Sequence, residues 1–178
     1  MFKVYISNLA AYTRGILKGE WLTLPMSEEQ LQTAIKRVLG TDEEFFITDY
    51  ELPFEISEYE NLKELNNKIV ELQELEFDPE ELTALFKSST CGNWEETAQI
   101  ILDGDFTILE VTDKTRLIDE SDIAYKLYEE DYISFLGVIP ENLIDYIDWD
   151  QVWRECNITY GWNEVFFADS GRQFAVNI

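Results

Sequence analysis

Histidine is absent from the 178 residues, cysteine occurs twice, and lysine and arginine together number only 13. Without imidazole, triads with a His base, His-ligated zinc and imidazole proton shuttles are excluded. Cys91 and Cys156 stand alone with no CxxC spacing, which argues against a disulfide framework or a thiolate metal site. No basic stripe exists to neutralise phosphates, so direct nucleic-acid binding is excluded as well. The opening MFKVYISNLAAYTRGIL has no apolar signal core, and nowhere do 18 apolar residues run together. The expectation is a soluble cytoplasmic protein. Asn157-Ile158-Thr159 matches a glycosylation acceptor but, lacking a secretory context, reads as chance.

What the chain does have is acid. Thirty-seven Asp and Glu give a net charge of −24 and a pI near 4.1. Self-repulsion of that size opposes compaction. Yet 46% of the residues are hydrophobic and 14% aromatic, ample material for a core. The chain therefore folds against its own charge. Trp21, Trp94, Trp149, Trp153 and Trp162 sit in regular apolar patterns and read as core; Cys91 and Cys156 read as inert thiols.

The pattern predicts an α+β protein of three small modules in a line. Residues 1–60 hold three aromatic or β-branched runs (Phe2–Ser7, Trp21–Leu24, Phe45–Tyr50) and one helix, started by a Ser27/Gln30 capping box and ended at Gly40. Residues 61–103 read as helical throughout. Ser57 and Glu60 give a second capping signature ahead of Leu62, Leu65, Ile69, Leu72 and Leu75, Asp78-Pro79 starts another helix, and Asn93 a third ended by Gly104. Residues 104–178 return to mixed structure: a strand over Phe106–Thr112, a helix over Ser121–Tyr128, and a helical stretch after Pro140 with a break at Asp148. Two closing strands flank Ser170-Gly171.

Every module is acidic: −6 for 1–60, −7 for 61–103 and −11 for 104–178. On a helix starting at Glu60, the residues Glu60, Glu64, Glu71 and Glu74 fall within roughly 80° of one another along about 21 Å, opposite the Leu/Ile stripe. Glu141, Asp145 and Asp148 repeat the motif after Pro140, and Asp119, Glu120, Asp122, Glu129, Glu130 and Asp131 crowd the segment before it. An ordinary solvated helix face would intersperse both signs, because like charges at i,i+4 repel. A surface of one sign points to a field that is used. Duplex DNA carries one charge per ~1.7 Å of axis, so 24 charges match about 40 Å of duplex, and a twofold dimer about 80 Å. The expectation is a mimic of the DNA backbone, carrying no base-edge information.

Val4–Leu24 (VYISNLAAYTRGILKGEWLTL) followed by Phe46–Glu51 (FITDYE) resembles the N-terminal signature of the ArdA antirestriction proteins. Leu127–Pro140 (LYEEDYISFLGVIP), continuing through ENLIDYIDW, is similar to that family's acidic antirestriction motif. The resemblance implies an elongated, three-module, dimeric DNA mimic of mobile genetic elements. Such a protein occupies the DNA-binding groove of type I restriction–modification enzymes and blocks cleavage and often methylation. It implies no cofactor and no catalysis. The motif mixes acids with Phe135, Leu136, Val138 and Ile139, which suits dimer packing or core as much as mimicry.

Three rival readings fit parts of the same pattern. A glycosidase-like carboxylate pair has no feature selecting it among 37 acids. Asp103-Gly104-Asp105 and Asp148-Trp149-Asp150 begin like calcium loops, but Ile108 and Trp153 fill the sixth positions where Gly is needed, and no Glu stands twelfth. An acidic adaptor or chaperone for a basic DNA-binding protein shares the electrostatics and differs only in partner.

Overall fold

A computed structural model describes residues 2–113 and 115–178. The chain is mixed α+β with two three-stranded antiparallel sheets. Its backbone gathers into two compact units: residues up to Phe86 with Cys91–Asp103, and Lys87–Thr90 with Gly104–Ile178.

In the first unit β1 (Phe2–Asn8) is central, flanked by β2 (Gly19–Leu24) and β3 (Phe45–Glu51). Its alternation turns Val4 and Ile6 wholly inward, opposite Leu22 on β2 and Ile47 on β3. Gly19 is required where it pairs with Ser7, since a Cβ there would lie 2.5 Å from the Tyr5 ring. Helix α2 (Glu28–Leu39) lays Leu31, Ala34 and Val38 on the sheet. Its start is the expected box: the Gln30 amide donates to Ser27 Oγ at 3.2 Å and the Ser27 amide to Gln30 Oε1 at 3.0 Å. A short helix, α1 (Leu9–Thr13), was not legible in the sequence. Buried Asn8 makes it, accepting from the Ala11 amide at 2.7 Å while donating to the Val38 carbonyl at 3.2 Å, a partner 30 residues away.

Helices α3 (Leu62–Gln73), α4 (Pro79–Ser88) and α5 (Trp94–Asp103) follow. Asp78 accepts from the amides of Glu80 and Glu81, and Asn93 from that of Glu96, so both caps act as the residue types dictate. Buried Asn66 of α3 binds both sides of the Met26 peptide, accepting its N–H at 2.7 Å and donating to its carbonyl at 3.0 Å. Phe54 stacks on Trp94 with centroids 5.0 Å apart and tilts against Phe86 at 4.5 Å. These contacts gather sheet and helices into one unit, so the boundary expected at 60/61 lies within it.

The second unit is built on β6 (Arg172–Asn177), four of whose six residues are buried, between β4 (Thr107–Glu110) and β5 (Trp162–Phe167). Helices α6 (Glu120–Glu129) and α7 (Trp149–Tyr160) close a core of Val111, Ile123, Leu127, Ile133, Val152, Trp153, Cys156 and Trp162. Buried Gln173 clips the 110s loop, donating to the Ile118 carbonyl at 2.9 Å and accepting its N–H at 3.3 Å. The break expected at Asp148 is present: a 3₁₀ turn (Glu141–Tyr146) precedes it, and Asp148 then caps α7 by accepting from the Gln151 amide at 3.0 Å.

Three expectations need correction. Helix α3 begins at Leu62, because Asn61 accepts from the Lys63 and Glu64 amides and takes the cap, while Ser57 and Glu60 close only a turn before it. Leu75 lies past the helix end and is exposed. Trp21 is 42% exposed and rests edge-on against Tyr5 at 5.4 Å, since position 21 faces away from the buried side of edge strand β2. Trp94, Trp153 and Trp162 are buried and Trp149 is half-buried.

Candidate functional site

The acids of this protein are placed by its helices. Each helix from α2 to α7 opens with a carboxylate in its first turn: Glu28 and Glu29, Glu64, Glu80 and Glu81, Glu95 and Glu96, Glu120 and Asp122, and Asp150. The unpaired N–H groups of a helix N-terminus carry about half a positive charge, so an anion there is stabilised without a basic side chain. This is how a chain with few cations orders many anions. The acids at the starts of α2, α4 and α5, and Asp150 of α7, are not among the site candidates read from the sequence, although a cap followed by two acids (Ser27-Glu28-Glu29) is a readable signal.

Seven of the cations form ion pairs within their own units. Lys3 pairs with Glu51 at 2.7 Å, Arg14 with Asp42 at 3.3 Å, Arg37 with Glu20 at 2.5 Å and Lys63 with Glu28 at 2.6 Å. Lys68 meets Glu71 at 3.0 Å, Arg116 meets Asp122 at 2.5 Å, and Arg172 meets Glu110 at 2.9 Å. The surplus remains on the carboxylates. Hydrogen bonds hold several of them below the usual carboxylate range: Lys63 on Glu28, the Asn8 amide on Asp42, Thr115 on Asp113, and Ser121 with the Asp122 amide on Asp119.

Of the predicted row, Glu64 and Glu71 share one exposed face of α3, seven residues and about 20° apart. Glu74 is the C-cap, and Glu60 stands outside the helix and half-buried. Asp119 and Asp122 form a reciprocal capping box on α6, which also carries Glu120 and ends at exposed Glu129 and Glu130. Glu141 and Asp145 are exposed on the 3₁₀ turn, ahead of Asp148.

The acidic motif of residues 127–140 is threaded rather than draped. Asp131 adopts the left-handed conformation (φ 62°), which turns the chain back so that the Tyr132 amide donates to the Leu127 carbonyl at 2.9 Å. Ile133 is buried, Leu136 packs on the core and Phe135 stacks on Tyr160 with centroids 5.0 Å apart. The Ile139 amide donates to Tyr128 Oη at 2.9 Å, and the Tyr128 ring lies 5.5 Å from that of Trp149. Val138 is 97% exposed. Leu136 is thus spent on the chain's own packing and Ile139 is half-buried, while Phe135 and Val138 remain presented.

Among the described residues no cluster of three or more His, Cys, Asp or Glu is arranged to hold a metal ion, and no helix is long and apolar enough to cross a membrane. The surface carries carboxylates fixed by helix ends, together with a packed acidic loop, and the match to a family model places the chain in the class of antirestriction proteins. The chain is a member of the ArdA antirestriction family, whose model matches residues 4–171, nearly its whole length. No individual curated protein matches it. Membership in an antirestriction family implies interaction with restriction–modification enzymes.

Proposed function

We propose that this protein imitates the backbone of duplex DNA and occupies the DNA-binding groove of type I restriction–modification enzymes, inhibiting restriction and, through the shared methyltransferase core, modification. The observation that carries the reading is the surplus of carboxylates, 37 acids against 13 bases, many of them anchored on ordered helix termini while seven of the cations are engaged in local ion pairs. A basic groove evolved for phosphates attracts such an array and releases the ions held on both surfaces. The working residues are Glu60, Glu64, Glu71, Glu74, Asp119, Glu120, Asp122, Glu129, Glu130, Asp131, Glu141, Asp145 and Asp148, joined by the acids at the starts of α2 and α5. Mimicry of this kind needs no cofactor and no catalytic step. It requires the modules to present an extended array, doubled by a homodimer in which exposed Phe135 and Val138 meet a second copy.

The test is a competition titration of the protein against labelled duplex bound to a type I methyltransferase core, across a salt series. Displacement that weakens as salt rises supports the mimic; a flat salt dependence overturns it. A histone-like protein run in parallel separates the groove-specific mimic from a general acidic adaptor. Sedimentation of wild type beside Val138→Glu tests the dimer.

A further inference from the structure

Resting on the mimic reading, we infer that buried Gln173 is a positioning residue of the carboxylate array: from β6 it sets where Asp119, Glu120 and Asp122 stand against the partner's basic groove. It carries no charge and acts across 55 residues, on Ile118. Its Oε1 accepts the Ile118 N–H at 3.3 Å, while Nε2 donates to the Ile118 carbonyl at 2.9 Å and to a carboxylate oxygen of Glu164 on neighbouring β5. The backbone of the same residue holds the chain as it leaves β4. The Gln173 carbonyl accepts from the Val111 amide at 2.8 Å, and the Gln173 amide donates to Thr112 Oγ1 at 2.9 Å. One residue thereby grips the chain at Val111–Thr112 and again at Ile118, which is itself part of the core.

The acids start at the next position. Asp119 caps α6, accepting from the Asp122 amide at 3.0 Å and from Ser121 Oγ at 2.7 Å. Asp122 accepts from the Asp119 amide in return and pairs with Arg116 at 2.5 Å. A capping box needs the chain to enter the helix through an extended residue, and Asp119 is extended (φ −91°, ψ 174°). Solvated carboxylates do not fix that entry; the buried residue just before them does. An apolar side chain at 173 would leave the Ile118 N–H and carbonyl buried without these partners, a cost relieved by turning both groups to water. Turning Ile118 re-aims the residues that follow it. Three carboxylates then lose their places while the net charge stays the same.

The experiment compares wild type with Gln173→Met, which keeps the side-chain length and removes both polar atoms, and Gln173→Asn, which keeps the amide one methylene shorter. Circular dichroism identifies the folded variants, and two readings are taken on them: the salt series of the competition titration, and the Asp119 carboxyl followed by NMR. Gln173→Met is expected to weaken competition about tenfold, since two or three exposed ion pairs are worth about two- to fivefold each. The salt slope should fall by about two to three although the chain still carries −24. Asp119, held low by Ser121, the Asp122 amide and Arg116, should move up toward the ordinary carboxylate range. Gln173→Asn should show the same changes, and lowered stability alone would produce none of them. A folded variant that keeps the wild-type slope and competes within about twofold overturns the inference and leaves the mimic standing, as does an unmoved Asp119. Should neither variant fold, hydrogen exchange at Ile118 decides in the wild type: protection supports the clip, and exchange as fast as at an exposed amide overturns it. A wild-type protein that displaces no duplex overturns both readings, and that arm is read first.

Discussion

Helix α3 and the loop of residues 127–140 both present carboxylates, but by different means. On α3 the acids sit on a regular helix whose buried side, Leu62, Leu65, Ile69 and Leu72, is independent of them. In the loop the acids ride on a chain path fixed by Ile133 in the core, by Phe135 on Tyr160 and by the Ile139–Tyr128 hydrogen bond. A helix face tolerates the loss of one charge because its backbone is held elsewhere. A threaded loop does not tolerate the loss of one anchor, because each anchor aims several residues at once. The compact units differ in the same sense. The first carries 21 acids against 7 bases, with acids at the starts of four helices, and the second 16 against 6, with acids at the starts of two helices and three more, Glu129, Glu130 and Asp131, in the packed motif.

The comparison breaks most easily at Ile133. Ile133→Ala should cost about 2–4 kcal/mol in denaturant unfolding, the usual penalty for emptying a buried aliphatic site, and should disturb inhibition through the loop. A loss below ~1 kcal/mol would mean the loop is not anchored through the core. Next in size, Tyr128→Phe removes the acceptor of the Ile139 amide. About 1 kcal/mol of local stability should go, read as faster hydrogen exchange at Ile139, with Trp149 still packed. The helix responds more gently and with opposite signs at its two ends. Glu64→Gln removes an anion from the first turn and should destabilise by a few tenths of a kcal/mol, whereas Glu74→Gln removes one from the C-terminal end and should stabilise by about as much. Like-signed shifts would argue that general repulsion outweighs the helix dipole. In competition assays either single change should be nearly silent, and multiple changes progressive.

Acid titration sharpens the contrast between diffuse and specific electrostatics. Glu28, Asp42, Asp113 and Asp119 are depressed in the folded state, so their stabilisation is present above the ordinary carboxylate range and is lost as pH falls through their folded values. Neutralising the surplus of acids acts first and in the other direction. Thermal stability should therefore rise from pH 7 toward ~5 and fall below ~4. A monotonic fall would show that self-repulsion is not a significant cost. At the alkaline end, burial raises the Cys156 thiol from 9.0 to about 11. Its contribution is complete at neutral pH and is lost as pH climbs toward that value, and native protein should leave Cys156 unreactive to thiol reagents at pH 8.

Legibility in the sequence followed the range of the interaction. The Ser27/Gln30 box, the Asp78, Asn93 and Asp148 caps and the strands around β1 and β6 were read correctly, because each depends on neighbours within a few residues. The choice of Asn61 over Ser57 as the α3 cap was not, since both offer a suitable oxygen and only the chain's entry path selects between them. Trp21 was misjudged because alternation gives the two faces of a strand without saying which one an edge strand buries.

By itself the sequence determined the charge, its spread over every part of the chain and the placing of acids at helix starts, since composition and capping are local properties. Only the tertiary structure decided that α3 to α5 gather with the first sheet through Asn66 and Phe54, and that Leu136 turns onto its own core while Val138 does not. Those outcomes rest on residues tens of positions apart competing for the same space, and no local pattern records who wins.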